Sequence, residues 1–159
     1  MHGLFRRTSL SVAALMLGAC SVQVTDGPVM TDMDAANVEF MDPSNGRAPY
    51  SRSVRVGPTV YLSGVLGSRD GVLVDGGIEA QTHQAIDNIS TALARHGLTL
   101  SSVVRCGVFL ANIDDFDAMN GVYTTRFGPP RPARTTVAAD IVAGALIEID
   151  CIAAFDDTP

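Results

Sequence analysis

Apolar side chains recur along this chain in two different periods. Ile78, Thr82, Ala85, Ile86, Ile89 and Leu93 step by three and four, which lines them along one stripe of a helix, and Gly97 stands where that helix needs a C-terminal cap. A second helix is expected from about 115 to 127, capped by Asn112 or Asp114, with Phe116, Met119, Val122 and Tyr123 turned inward. Elsewhere the pattern is that of strands. A short alternation at 38–40 precedes two runs, 51–56 and 59–63, that read as a hairpin around Gly57-Pro58, and Asp70-Gly71 and Asp75-Gly76 mark further turns. The run at 103–111 is almost wholly apolar and rich in β-branched residues, as a central strand should be, and 134–138 and 146–155 supply two more. Strands, helix, strand, helix, strands is an α+β plan: one mixed sheet with two helices packed on one face. In the last strand Ile147, Ile149, Cys151, Ala153 and Phe155 alternate with Glu148, Asp150, Ile152 and Ala154. The second face therefore carries carboxylates beside apolar side chains and needs a cover, which self-association would supply, closing a cavity lined from two subunits.

Composition narrows the chemistry. A chain of 159 residues, 47% apolar and 18% charged, has room for one globular core and is neither disordered nor a coiled coil. Seventeen acidic residues against eleven basic ones give a net charge of -6, so counterion release offers no drive toward a polyanion and nucleic acid is not an expected partner. All the basic residues are arginines, which excludes a lysine Schiff base and a P-loop lysine.

The first residues read as an address. Arg6 and Arg7 precede an apolar stretch from Leu10 to Leu17 that is too short to span a hydrocarbon layer of about 30 Å, the layout of a secretory signal at 1–19. It ends in Leu17-Gly18-Ala19-Cys20, which resembles the bacterial lipobox and makes Cys20 the expected lipidation site. Two or more acyl chains on Cys20 would give stable anchoring, on the periplasmic side of the envelope. Ser21 is not the aspartate of an inner-membrane retention signal, which points to the outer membrane; cleavage after Ala19 into a soluble periplasmic protein is the alternative. Residues 20–36 are polar, acidic and aperiodic, as a tether would be, and 37–156 form the folded domain.

If the segment 139–144 joins antiparallel neighbours, a symmetric hairpin centred near Ile141 sets Arg134 opposite Glu148 on one face. The two could then form a structural salt bridge, or one could hold a substrate while the other works on it. From 38 to 155 the chain resembles the RidA/YjgF family. PYSRSV at 49–54 is similar to the family's PYSQAV, YLSG at 61–64 to its strand ending in Ser-Gly, QTHQAIDNISTAL at 81–93 and FDAMNGVYTTRF at 116–127 to its two helices. PARTTV at 132–137 and IEIDCIA at 147–153 are similar to its PARxxV segment and closing strand.

The resemblance implies a chorismate-mutase-like fold assembled as a homotrimer with clefts between subunits. It implies hydrolytic deamination of reactive enamines and imines, small 2-imino acids, to 2-keto acids and ammonia. Arg134 would be the carboxylate clamp, since a guanidinium offers two parallel donors to one carboxylate. Glu148 would hold and polarise the attacking water, Tyr50, Ser63 and Gly64 would line the cleft, and Asn120 would support it. Thr136 stands where many family deaminases carry a cysteine, replacing a thiol by a hydroxyl of similar size. Val65-Leu66-Gly67 in place of the family's Gln-Ile-Pro, and the short proline-rich loop at 128–132, imply a reshaped rim. An imine carbon is already electrophilic, so the reaction calls for no metal or cofactor. The alternative from another class is a non-catalytic trimeric module binding a small carboxylate metabolite at the envelope.

Other candidates read as structural. His83 and His96 lie thirteen apart without a second ligand at metal spacing, and Asp114, Asp115 and Asp117 suit the positive N-terminus of the second helix better than a calcium loop. Cys106 and Cys151 fall on strands that could be neighbours, where free buried thiols and a disulfide are both open.

Overall fold

The computed structural model describes residues 37–43 and 48–156; the leader expected at 1–19 and the tether at 20–36, with Cys20, lie outside the described residues. The strands are β1 (Val38–Pro43), β2 (Ser51–Val56), β3 (Thr59–Leu66), β4 (Ser68–Arg69), β5 (Val72–Leu73), β6 (Val103–Leu110), β7 (Ala133–Ala138) and β8 (Ile147–Ala154). The helices are α1 (Gly77–Ala94) and α2 (Phe116–Arg126). Six strands make one mixed sheet in the order β1-β2-β3-β8-β6-β7, antiparallel throughout except that β7 runs parallel to β6.

Two crossovers dictate that order. A strand reached through a helix comes back parallel to the one before it, so α2 delivers β7 parallel to β6 at the sheet edge. In the same way α1 carries the chain from the β3 side to β6, leaving one strand's width between β3 and β6. The last strand, β8, fills that gap, antiparallel to both neighbours.

Local signals set the ends of the elements. At the close of α1, Gly97 has φ +72, its N–H donates to the Ala94 carbonyl at 3.0 Å and the Leu98 N–H donates to Leu93 at 3.0 Å, the two bonds of a Schellman cap. Leu98 and Leu93 are both buried, giving that cap its apolar contact. Asp70 and Gly71, both at positive φ, turn β4 into β5, and the Asn112 carboxamide oxygen accepts the Asp114 N–H at 3.1 Å in the 3-10 turn that leads into α2.

The core lies between the sheet and the helices. Ala85, Ile86, Ile89 and Leu93 of α1 and Met119, Val122 and Tyr123 of α2 meet Val60, Leu62, Val108, Leu110, Ile147 and Ile149 from the strands. Each large aliphatic side chain buried there stabilises the fold by about 1.5–3 kcal/mol. Cys106 and Cys151, paired across β6 and β8 with Cα atoms 4.2 Å apart, are joined as a disulfide. Among the described residues, no helix lies on the other face of the sheet. Val38 (47% exposed), Phe40 (64%), Tyr61 (47%) and Val137 (42%) stand on it, linked by register through Val54, Ile152 and Phe109.

Candidate active site

Arg134 is the most tightly positioned of the expected site residues. It sits on β7 in register with Cys106, on the helix side of the sheet, and its Nη2 donates to the Asn120 carboxamide oxygen of α2 at 2.9 Å. Its guanidinium lies 4.5 Å from the centre of the Tyr123 ring and 5.7 Å from that of Phe116. A cation held by one hydrogen bond and two aromatic faces has lost most of its rotamer freedom while keeping donors to offer. Burial pushes the Tyr123 phenol up, and the neighbouring Arg134 charge partly opposes that rise. Asn120, Tyr123, Thr124, Arg131, Pro132 and Arg134 line a cavity of about 270 Å³. The Tyr123 hydroxyl, and that of Thr136 two residues along β7 from Arg134, are buried and have no hydrogen-bond partner among the described residues.

Glu148 stands elsewhere. It pairs with Phe109 of β6 and Leu66 of β3 and faces away from the helices, as the exposure alternation along β8 shows. Its carboxylate packs on Gly64, where a Cβ would collide with it. The register of β3 against β8 slips between Leu62 and Val65, so Ser63 and Gly64 form a bulge that turns this short stretch toward the glutamate. The Ser63 hydroxyl donates to the Ser51 carbonyl at 2.6 Å, and Tyr50, 58% exposed, opens the same wall. Tyr50, Ser63 and Gly64 line a larger cleft, about 570 Å³, that continues to Asn88 and Thr91 of α1.

The hairpin that would set Arg134 across from Glu148 is therefore corrected. β7 and β8 are not neighbours, because β6 lies between them, and the chain from 139 to 146 passes over β6 instead of turning back on itself. Arg134 aligns through Cys106 with Cys151, and Glu148 aligns through Phe109 with Val137. Two strand spacings and a three-residue offset put their Cα atoms about 14 Å apart. The side chains also leave opposite faces of the sheet. Within one protomer the structure makes two half-sites: Arg134 with Asn120 at the β7 edge, and Glu148 packed on Gly64, with Ser63 and Tyr50 along the adjoining cleft that Glu148 itself does not line.

The remaining candidates are structural. His96, just past α1, meets the Ser53 hydroxyl at 2.8 Å, and His83 contacts Arg126 at 3.4 Å. The sequence did not single out Arg131, although the proline on each side and its spacing of three from Arg134 were visible.

Residues 41–155 match the family model described as Endoribonuclease L-PSP. The chain is 40% identical over 107 residues to the 2-iminobutanoate/2-iminopropanoate deaminase of Dermatophagoides farinae, covering 65% of this chain and 84% of that protein. It is 35% identical over 153 residues to the chloroplastic Reactive Intermediate Deaminase A of Arabidopsis thaliana, covering 94% and 77%. Among solved structures, RidA from an Antarctic Psychrobacter superposes with a TM-score of 0.66 at 34% identity, over 69% of this chain and 90% of that one.

Proposed function

Because this chain belongs to the RidA/YjgF family, we propose that it hydrolyses small 2-imino acids, and their enamine tautomers, to 2-keto acids and ammonia. The observation that carries this reading is the Arg134 guanidinium, fixed by Asn120 and two aromatic rings at the mouth of a small cavity. Such a fork holds a carboxylate in one orientation, and orientation is most of what an imine needs. Glu148 accepts a hydrogen bond from the attacking water and takes its proton as the oxygen bonds to the imine carbon. That proton goes on to the imine nitrogen, giving a carbinolamine; the hydroxyl proton then passes by way of Glu148 to the amine nitrogen as the carbon–nitrogen bond breaks, so that ammonia leaves and the carbonyl forms. Relatives named as imine deaminases support the same chemistry.

Since the two half-sites of one protomer face apart, the working cleft joins Arg134 of one copy to Glu148, Ser63, Gly64 and Tyr50 of the next, in a homotrimer closed over the helix-free sheet face. Thr136 lies beside Arg134 and stands in for the more usual thiol as a hydrogen-bonding group. Ribonuclease action, the activity in the family model's description, draws no support from a lysine-free chain of net charge -6.

The address read from residues 1–20 is part of the proposal: an exported protein, lipid-anchored through Cys20 on the periplasmic side. The Cys106–Cys151 disulfide supports it, because buried cystines persist in oxidising compartments and are rare in the cytosol. Loss of fatty-acid labelling in Cys20→Ala checks the anchor.

The enzymatic reading is tested by forming 2-iminobutanoate in place with an amino-acid oxidase and trapping the survivor with semicarbazide. The protein lowers the trapped yield and Arg134→Ala does not. Equal yields with and without protein would leave a metabolite-binding module in its place.

A further inference from the structure

The cavity at the β7 edge has a second guanidinium. Arg131 lines it together with Arg134, three residues away in sequence. The two are held differently. Arg134 is engaged by Asn120, Tyr123 and Phe116, whereas Arg131 is exposed and makes no hydrogen bond or ion pair among the described residues. Its backbone is nevertheless restricted, since Pro132 confines Arg131 to extended conformations and Pro130 fixes the approach from the other side. An unengaged guanidinium on a pre-set backbone, beside a clamp that already accounts for one carboxylate, leaves a place for a second negative group.

The geometry points to a 2-imino dicarboxylic acid as the preferred substrate, the 2-carboxylate held by Arg134 and the carboxylate ending the side chain held by Arg131. The inference rests on the deaminase reading for its reaction and adds the substrate class. Space agrees: the concavity of about 270 Å³ that holds both arginines is one half of the proposed cleft and accommodates the carbon chain of a four- or five-carbon diacid. Charge agrees as well. In a chain with seventeen acidic residues a dianion is repelled by the molecule as a whole, so retaining one calls for two local cations. The buried Tyr123 hydroxyl, without a hydrogen-bond partner among the described residues, is a further polar group at this cavity.

The test separates preference from chemistry. Calorimetry with 2-oxoglutarate and 2-oxobutanoate reads preference without turnover, and the semicarbazide assay with imines made from aspartate and from 2-aminobutanoate reads hydrolysis. The wild-type protein is expected to bind 2-oxoglutarate at least tenfold more tightly than 2-oxobutanoate. In Arg131→Ala the loss for the diacid should exceed that for the monoacid by a factor of roughly ten to a hundred, as a charge-assisted hydrogen bond is worth, and Arg131→Lys should recover part of it. Equal binding of both acids, or equal losses in Arg131→Ala, overturns the inference and leaves the deaminase standing on its own assay. Preference without hydrolysis of either imine removes the deaminase and keeps the dianion site. Dissociation of the oligomer in Arg131→Ala, read by light scattering, would assign the side chain to a subunit contact and overturn the inference too.

Discussion

In the proposed reaction Asn120 acts only through Arg134, whose Nη2 donates to its carboxamide oxygen, which makes it a positioning residue. Removing its carboxamide oxygen frees a guanidinium that must be re-oriented for every substrate. Asn120→Ala should therefore cost about tenfold to a hundredfold in kcat/KM, the worth of a hydrogen bond to a charged group, while shifting stability by only about 1 kcal/mol. Trapping kinetics and a thermal melt distinguish those effects. His96 reports on pH. Burial, and then the nearby Arg55 charge, hold its pKa below the ordinary 6.5, with Glu39 opposing them. The unfolded chain then binds the proton more readily than the folded one. His96 leaves stability intact above 6.5 and takes some away as pH falls from 6.5 to the lowered folded value. Melting temperatures should drop across that window in the wild type and drop less in His96→Gln. At this scale, motif resemblance singled out Arg134, Glu148 and Asn120, and the structure brings Arg134 to Asn120; how Arg134 stands to Glu148 could not be read, because facing is decided by which strands become neighbours.

Elements were more legible than their arrangement. The three-and-four spacing of Ile78 to Leu93 and the glycine at 97 place α1 to within a residue or so, and Phe116 to Tyr123 did the same for α2. Those signals are local. The insertion of β8 between β3 and β6 is not, since it follows from two crossovers and the space they leave. The bulge at Ser63-Gly64 had one visible sign, a glycine inside a strand. The disulfide also depends on the arrangement: only the adjacency of β6 and β8 brings Cys106 to Cys151. Closing a loop of 45 residues, it should contribute about 4 kcal/mol by loss of unfolded-state entropy. Urea denaturation with and without reductant should show that difference, and the Cys106→Ser/Cys151→Ser double variant should be insensitive to reductant.

For the whole molecule, the helix-free sheet face decides the behaviour. Tyr61, Phe40, Val38 and Val137 share one surface with charged Arg105 and Asp150, whose 3.9 Å ion pair crosses from β6 to β8. Tyr61→Asp changes a half-exposed position, so the protomer should still fold, while a desolvated carboxylate in the proposed interface should break the assembly. Sedimentation should show the wild type at three times the protomer mass and the variant at the protomer mass.

The opposite orientation of Arg134 and Glu148 has a genetic consequence. Under the proposed reaction, Arg134→Ala and Glu148→Gln chains should each be inert alone, yet they are altered on different halves of the cleft. Co-refolded in equal amounts, they should complement one another. In a ring of three mixed at random, roughly a quarter of the junctions unite an intact arginine with an intact glutamate, so turnover should return to about that fraction of the undamaged rate.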